Sequence, residues 1–144
     1  YGLYVVAAAA DGKINGQTAN AVFQLTAVPP QIAVCINKQN LTHEYITASG
    51  AFTVSILCQD QIQTVKKFGY QSGRKVDKFA DTPYLTGKND CPILADCTAY
   101  LEAEVLADKT VDVGTHTLFV AKVTAGRPAK GSQPLTYAHY RKVK

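Results

Sequence analysis

Methionine and tryptophan are missing altogether from the 144 residues, and charged residues make up only 18%. With no Met even at position 1, the expectation is that the chain lacks its true start or is cut from something longer, so a missing signal segment decides nothing. The longest apolar run, Leu3 to Ala10, has eight residues, far short of the ~20 that carry a helix across a bilayer. No membrane anchor is expected. The modest charge, at 47% apolar content, is that of a folded chain rather than a disordered one. The length fits one globular domain spanning residues 1–144. Fifteen basic and eleven acidic side chains give a net +4. That suits an anionic small molecule, but it is no dense basic stripe for nucleic acid.

Several chemistries lose their usual signatures. There is no Gly-x-Gly-x-x-Gly after a strand, no Gly-x-x-x-x-Gly-Lys-Ser/Thr and no Gly-x-Ser-x-Gly, so Rossmann, P-loop and nucleophile-elbow readings have no support. The four cysteines, Cys35, Cys58, Cys91 and Cys97, contain no Cys-x-x-Cys pair, and His43, His116 and His139 lack metal-ligand spacing. The cysteines read as reduced thiols, with Cys35 and Cys58 buried inside apolar runs.

What is present is mostly strand. Runs at Leu3 to Ala9, Val22 to Thr26, Gln31 to Asn37, Phe52 to Leu57, Tyr100 to Leu106 and Thr117 to Thr124 are apolar or β-branched, with Gly and Pro punctuation between them. Asp11-Gly12 marks a turn, and Val28-Pro29-Pro30 forces an extended entry into the following strand. The last two runs read as neighbouring antiparallel strands. Two helices stand out. Thr42 is the expected cap of the first, which stops at Gly50; Asp60 is the expected cap of the second, whose Ile62, Val65 and Phe68 share a face and which stops at Gly69. The polar stretch from Gly69 to Pro92 is long for a bare loop and reads as a lid or ligand-binding excursion. Tyr137-Ala138-His139-Tyr140 suits packing near the chain end or a subunit contact. The class that results is mainly β, a small closed or partly closed barrel with two or three helices outside.

The chemically informative stretch is Asn15-Gly16-Gln17-Thr18-Ala19-Asn20-Ala21-Val22-Phe23-Gln24-Leu25-Thr26. Small residues there let backbone approach a flat ring, and amides and hydroxyls can serve its polar edge. An ordinary turn and strand explains the same residues equally well.

That stretch, followed by Pro29-Pro30, Lys38-Gln39-Asn40-Leu41-Thr42, the Phe52 to Leu57 run, Lys67-Phe68-Gly69 and Gly114-Thr115-His116, resembles the flavin reductase-like domains, whose fold is an FMN-binding split barrel. The opening Tyr1 to Val6 with Lys13 to Gln17 is most similar to the flavin-reductase portion of high-molecular-weight rubredoxins, although no rubredoxin Cys-x-x-Cys pairs are present. The resemblance implies a cytoplasmic homodimer with FMN near the subunit interface, FAD being the alternative. It implies hydride uptake from NADH or NADPH and electron delivery to free flavin, a ferric chelate, or a redox protein such as rubredoxin or a flavodiiron protein. Thr18, Ala19 and Asn20, with Gln17 beside them, would line the ring. Lys38, Asn40 and Thr42 ahead of the first helix, and Arg74 and Lys75 after the second, would serve the phosphate, with Thr26 on the ribityl or phosphate side. His116 would face the nicotinamide or substrate side. Two other readings remain: an FMN electron-relay module without a nicotinamide reaction, and a non-flavin split-barrel binding protein. The pyridoxamine-phosphate-oxidase-like barrels are the nearest enzyme alternative.

Overall fold

The computed structural model describes residues 1–144. Ten strands, β1 (Tyr4–Ala10), β2 (Lys13–Ala19), β3 (Val22–Thr26), β4 (Gln31–Asn37), β5 (Ala51–Ile56), β6 (Tyr84–Thr86), β7 (Pro92–Leu94), β8 (Ala99–Val105), β9 (Val111–Asp112) and β10 (His116–Arg127), are joined by three helices, α1 (Leu41–Ser49), α2 (Ile62–Tyr70) and α3 (Tyr137–Val143). The main sheet is antiparallel in the order β2-β1-β5-β8-β10-β4-β3, with β9 beside β10 and β6 paired with β7. Its two edge strands, β2 and β3, are consecutive in the chain and joined only by Asn20-Ala21. At ~3.3–3.6 Å per residue, that dipeptide cannot span a flat seven-strand sheet, so the sheet must curl until its edges nearly meet. This is the split barrel.

Strand alternation places two cores on the two faces of one sheet. Val6 and Ala8 of β1 join Ile46, Phe52, Val54 and Phe119 inside the barrel. Leu3, Val5 and Ala7 turn outward to meet Val65, Phe68, Phe79, Leu94, Leu135 and Tyr140. The outer core is the one that α2, α3 and the 71–91 excursion cover. Buried polar strand residues are accounted for there: Ser55 Oγ accepts from Leu94 N at 3.1 Å, and Thr53 Oγ1 donates to Pro92 O, so β5 clamps β7.

Local signals read correctly in most places and wrongly in a few. Asp11 (φ 52°) and Gly12 (φ 74°) are both left-handed, which makes the Asp-Gly pair a hairpin turn of the twist that strands prefer. Gly50 (φ 71°) ends α1, its N–H bonded to Ile46 O at 2.8 Å. The α1 cap position is Asn40, however, and Thr42 lies inside the first turn, fully buried. The α2 cap position is Gln61 rather than Asp60, and Gly69 does not stop the helix, which continues to Tyr70. Gly69 is there for clearance: a Cβ would meet Thr18 Cβ at 3.3 Å. Residues 27–30 form a turn, not an extended entry. Among the free cysteines, Cys91 and Cys97 are the buried ones, whereas Cys35 and Cys58 are only half-buried.

Candidate functional site

β2 runs past the first turn of α1 on one side and the end of α2 on the other, and a polar cleft of about 290 Å³ lies between them. Its walls are Asn15, Gln17 and Thr18 of β2, Gln39 to Thr42 at the head of α1, Phe68 to Gly73, and Lys78. The side chains are tied to one another. Asn15 Nδ2 donates to Thr42 Oγ1 (2.9 Å), Asn40 Nδ2 to Gln17 Oε1 (3.0 Å), and Thr18 Oγ1 to Val65 O (2.9 Å). Because Asn40 bonds Gln17, it does not cap α1, and the Leu41 and Thr42 amides have no partner in the chain. A helix start with free amides carries partial positive charge directed at whatever occupies the cleft.

Lys78 adds a full charge. Its side chain is only 4% exposed, its ammonium donates to Gly16 O (2.9 Å) and Phe68 O (3.0 Å), and it has no carboxylate partner among the ion pairs. Burial pulls its pKa down to about 8, as expected for an ammonium withdrawn from water. An ammonium held on neutral carbonyls at the wall of a polar cleft lacks a counter-ion, and an anionic ligand supplies one. The sequence did not single out Lys78. It is one of fifteen basic residues, and only the fold of the excursion, with Phe79 packed edge-on against Phe68 (5.1 Å) and Tyr84 (5.3 Å), carries it inward. Ser72 and Gly73 reach the wall through the same fold of the excursion, whereas Asn15 belongs to the informative stretch on β2 without having been expected at the ligand.

The cleft opens at both ends. Past Thr18 it meets a hollow of about 260 Å³ shared by Ala19, Asn20, Tyr70, Tyr137, Tyr140 and Lys144. There Tyr70 Oη and Tyr140 Oη lie 2.7 Å apart, and this contact with burial pushes the Tyr140 phenol up to about 12. At the other end, Arg74 and Lys75 border a second hollow reached past Asn15 and Leu41. Arg74 Nη2 donates to Gln39 O (3.1 Å) and Glu44 (2.6 Å), strapping the excursion to the α1 approach.

Of the expected site residues, Gln17, Thr18, Asn40 and Thr42 line the cleft, Ala19 and Asn20 line the aromatic hollow, and Arg74 and Lys75 sit at the opposite mouth. Lys38 is turned away, paired with Asp112 at 2.6 Å, and this bond, with the Gly114 N–H, holds the Asp112 carboxyl below its ordinary pKa. Thr26 is not brought to the cleft. It closes β3 at the far end from Asn20, its hydroxyl donating to Pro29 O at 2.6 Å. His116 opens β10 opposite Asn37, and Lys38 N donates to Thr115 O at 3.0 Å, so the Gly114 to His116 turn braces the loop leading into α1. The imidazole Nδ1 lies 2.8 Å from Thr115 Oγ1. His43 is structural, its Nε2 at 2.7 Å from Thr117 Oγ1 and its ring on Phe119.

Gly69, close against Thr18, and Gly73 set the width of the cleft. A Cβ on Gly73 would lie 2.1 Å from Asn15 Oδ1, and Asn15 is buried and tethered to Thr42, so it cannot swing aside freely. Gly73→Ala is expected to break the Asn15–Thr42 bond and cost about 1–3 kcal/mol, the range for overpacking. Thermal melting of the variant checks this, and an unchanged Tm would show that the wall is loose.

A gapped barrel whose cleft presents helix amides and a lone ammonium at one place, and small residues beside aromatic rings at the next, is a split barrel with a cleft of positive character. The sequence profile of the flavin reductase like domain matches residues 1–144, and the chain belongs to that family. It is 47% identical, along its whole length, to the high molecular weight rubredoxin of Moorella thermoacetica, spanning 63% of that protein. It is 43% identical to the ferric-chelate reductase (NAD(P)H) of Archaeoglobus fulgidus, spanning 85% of it. Among solved structures, the NADH:FAD oxidoreductase SgcE6 of Streptomyces globisporus, in complex with NAD and FAD fragments, superposes with a TM-score of 0.83 at 26% identity, over 92% of this chain and 78% of the other.

Proposed function

We propose that this domain binds FMN, accepts hydride on it from NADH or NADPH, and passes the electrons to an acceptor: free flavin, a ferric chelate, or a redox protein such as rubredoxin or a flavodiiron protein. The observation that carries the reading is the unpaired buried Lys78 facing the free Leu41 and Thr42 amides across a polar cleft. The donor set fits a phosphate. The small and amide-bearing Thr18 to Asn20 next to that cleft fit the polar edge of an isoalloxazine, and the same groups would accommodate the FMN part of FAD. The named activities of the relatives support the reading.

Bound FMN supplies hydride acceptance at N5 and one-electron release. The residues of the chain bind and orient it. Lys78 and the α1 amides fix the anionic tail. Gln17 and Asn40, locked to each other, present fixed dipoles to the middle of the cleft, and donors near the ring's oxygen-bearing rim favour the charge that reduction places there. Thr18 keeps its hydroxyl on Val65 O and so offers its backbone. His116, with Nδ1 engaged by Thr115 and Nε2 free of any partner in the chain, is assigned the role of positioning the nicotinamide by a hydrogen bond to its carboxamide.

An apolar groove of about 340 Å³ along β3, β5 and β8, bordered by Phe23, Leu101 and Val123, continues into exposed Leu25 and Val28. It supports a homodimer across this face. No helix is long and apolar enough to cross a membrane; a cytoplasmic place is part of the proposal. The test is anaerobic stopped-flow mixing of FMN-loaded protein with NADH and with NADPH. Flavin bleaching within seconds is expected, and His116→Ala should slow it about tenfold with the bound-flavin spectrum unchanged, the rate equivalent of the ~1.4 kcal/mol that one hydrogen bond can contribute. A protein that stays colourless with excess FMN overturns the reading; one that binds FMN but never bleaches is a relay.

A further inference from the structure

The charge of this chain is divided by position. Through Asp112 there are nine basic and eleven acidic residues; from Val113 to Lys144 there are six basic residues and no acidic one. The entire positive excess therefore lies in the last 32 residues. Cations in the last turn of a helix complement its dipole, which accounts for one or two of them at the end of α3 but not for an acid-free tail.

The fold divides this charge: Lys122 pairs with Glu104, Arg127 lies on Cys97 O and the Tyr100 ring, and Lys130 follows β10, which leaves Arg141, Lys142 and Lys144 together at the end of α3. Leu135 is buried in the outer core, Leu3 N donates to Leu135 O at 2.9 Å, and Tyr137 N donates to Tyr1 O at 2.8 Å, so α3 is docked rather than loose. Arg141, Lys142 and Lys144 are all exposed, and none of the five ion pairs involves them. Lys66, likewise unpaired, lies one helical turn before Tyr70 on α2 and so shares its face, and Tyr70 is bonded to Tyr140 of α3. The patch borders the flavin-ring end of the proposed groove, because Lys144, Tyr137 and Tyr140 line the hollow that Ala19 and Asn20 also line. The apolar groove assigned to self-association lies on the opposite face of the sheet, with the inner core.

We infer that the basic face of α3, with Lys66, is the docking surface for an acidic one-electron carrier protein, which it brings against the ring end of the flavin groove. This rests on the flavin reading above and adds the place and charge of the acceptor. Charge complementarity of this kind acts mainly on the rate of encounter and on partner choice, and it weakens with salt.

The test compares wild type with Arg141→Glu/Lys142→Glu, neither residue being part of the cleft or the hollow. FMN-loaded protein is reduced with NADH and mixed with purified rubredoxin, and in parallel with neutral 1,4-benzoquinone, at 20 and 300 mM NaCl. Rubredoxin reduction is expected to fall about tenfold or more with salt and with charge reversal, a modest share of the range for electrostatic steering, while benzoquinone reduction and flavin reduction by NADH stay the same. Equal rubredoxin rates in both proteins overturn the proposal. Slowed flavin reduction by NADH also overturns it, assigning the patch to the dinucleotide phosphates, and so does a changed sedimentation coefficient, which assigns it to self-contact. Anisotropy of labelled rubredoxin with flavin-free protein at 20 mM NaCl reads docking alone: salt-sensitive binding lost in the variant supports the surface even if the flavin reading fails.

Discussion

Replacing Lys78 with Met is expected to weaken FMN binding by about 10- to 150-fold, the equivalent of the ~1.5–3 kcal/mol contributed by a hydrogen bond to a charged group, and to leave riboflavin binding within a few fold. The two ligands differ only in the phosphate, so their ratio isolates the anionic tail. The wild-type protein should also show this in its pH profile. Lys78 has its pKa pulled down to about 8 by burial, and an anion beside it favours the charged form, so binding raises that pKa again. FMN affinity is therefore level below pH 8 and falls as pH rises above it, toward tenfold per unit, until the pKa in the complex is reached. The phosphate is already a dianion over this range, with its second pKa near ~6, so the ligand contributes no slope. Fluorescence titration from pH 7 to 10 measures it. Parallel FMN and riboflavin curves would remove Lys78 from phosphate binding.

The same depression gives a stability effect of opposite sense. The folded pKa of about 8 lies below the ordinary 10.5, so between these values the unfolded chain holds more protons than the folded one. The flavin-free protein should therefore gain stability as pH rises through this window, while its FMN complex loses affinity. This divergence is specific to a lysine buried without a partner.

Phe52→Ala should produce the largest loss of stability with the least effect on the site. Phe52 is fully buried in the inner core with Val6, Ile46, Val54 and Phe119, and truncation of such a ring costs about 3–5 kcal/mol. That is a large part of the ~5–15 kcal/mol total stability of an ordinary domain. At ~2–4 °C per kcal/mol for a chain near this size, the melting temperature should drop by about 6–20 °C. Phe52 lines neither the cleft nor its two adjoining hollows, so the variant should still bind one flavin per chain in the cold. A drop under about 2 °C would mean that the inner core repacks around the hole.

The strand-rich class, most strand positions, the Asp11-Gly12 hairpin turn and the Gly50 helix stop were legible from residue order alone, because each depends on local sterics or on alternation within a single segment. The Asn15 to Thr26 stretch was also legible as chemistry. What residue order could not yield was β2 as a strand: Lys13–Ala19 has little apolar alternation, and it is extended because β1 pairs with it from Tyr4↔Ala19 to Ala10↔Lys13. Tertiary structure decided which basic residues reach the cleft. Lys38 looked like a phosphate ligand and is spent on Asp112; Thr26 ends up at the far end of β3; Lys78, unremarked in the sequence, is carried inward when the excursion packs Phe79 into the outer core. Charge and hydrogen-bonding capacity belong to the residue type, but which partner meets them depends on contacts between segments far apart in the chain, and these exist only once the sheet has curled.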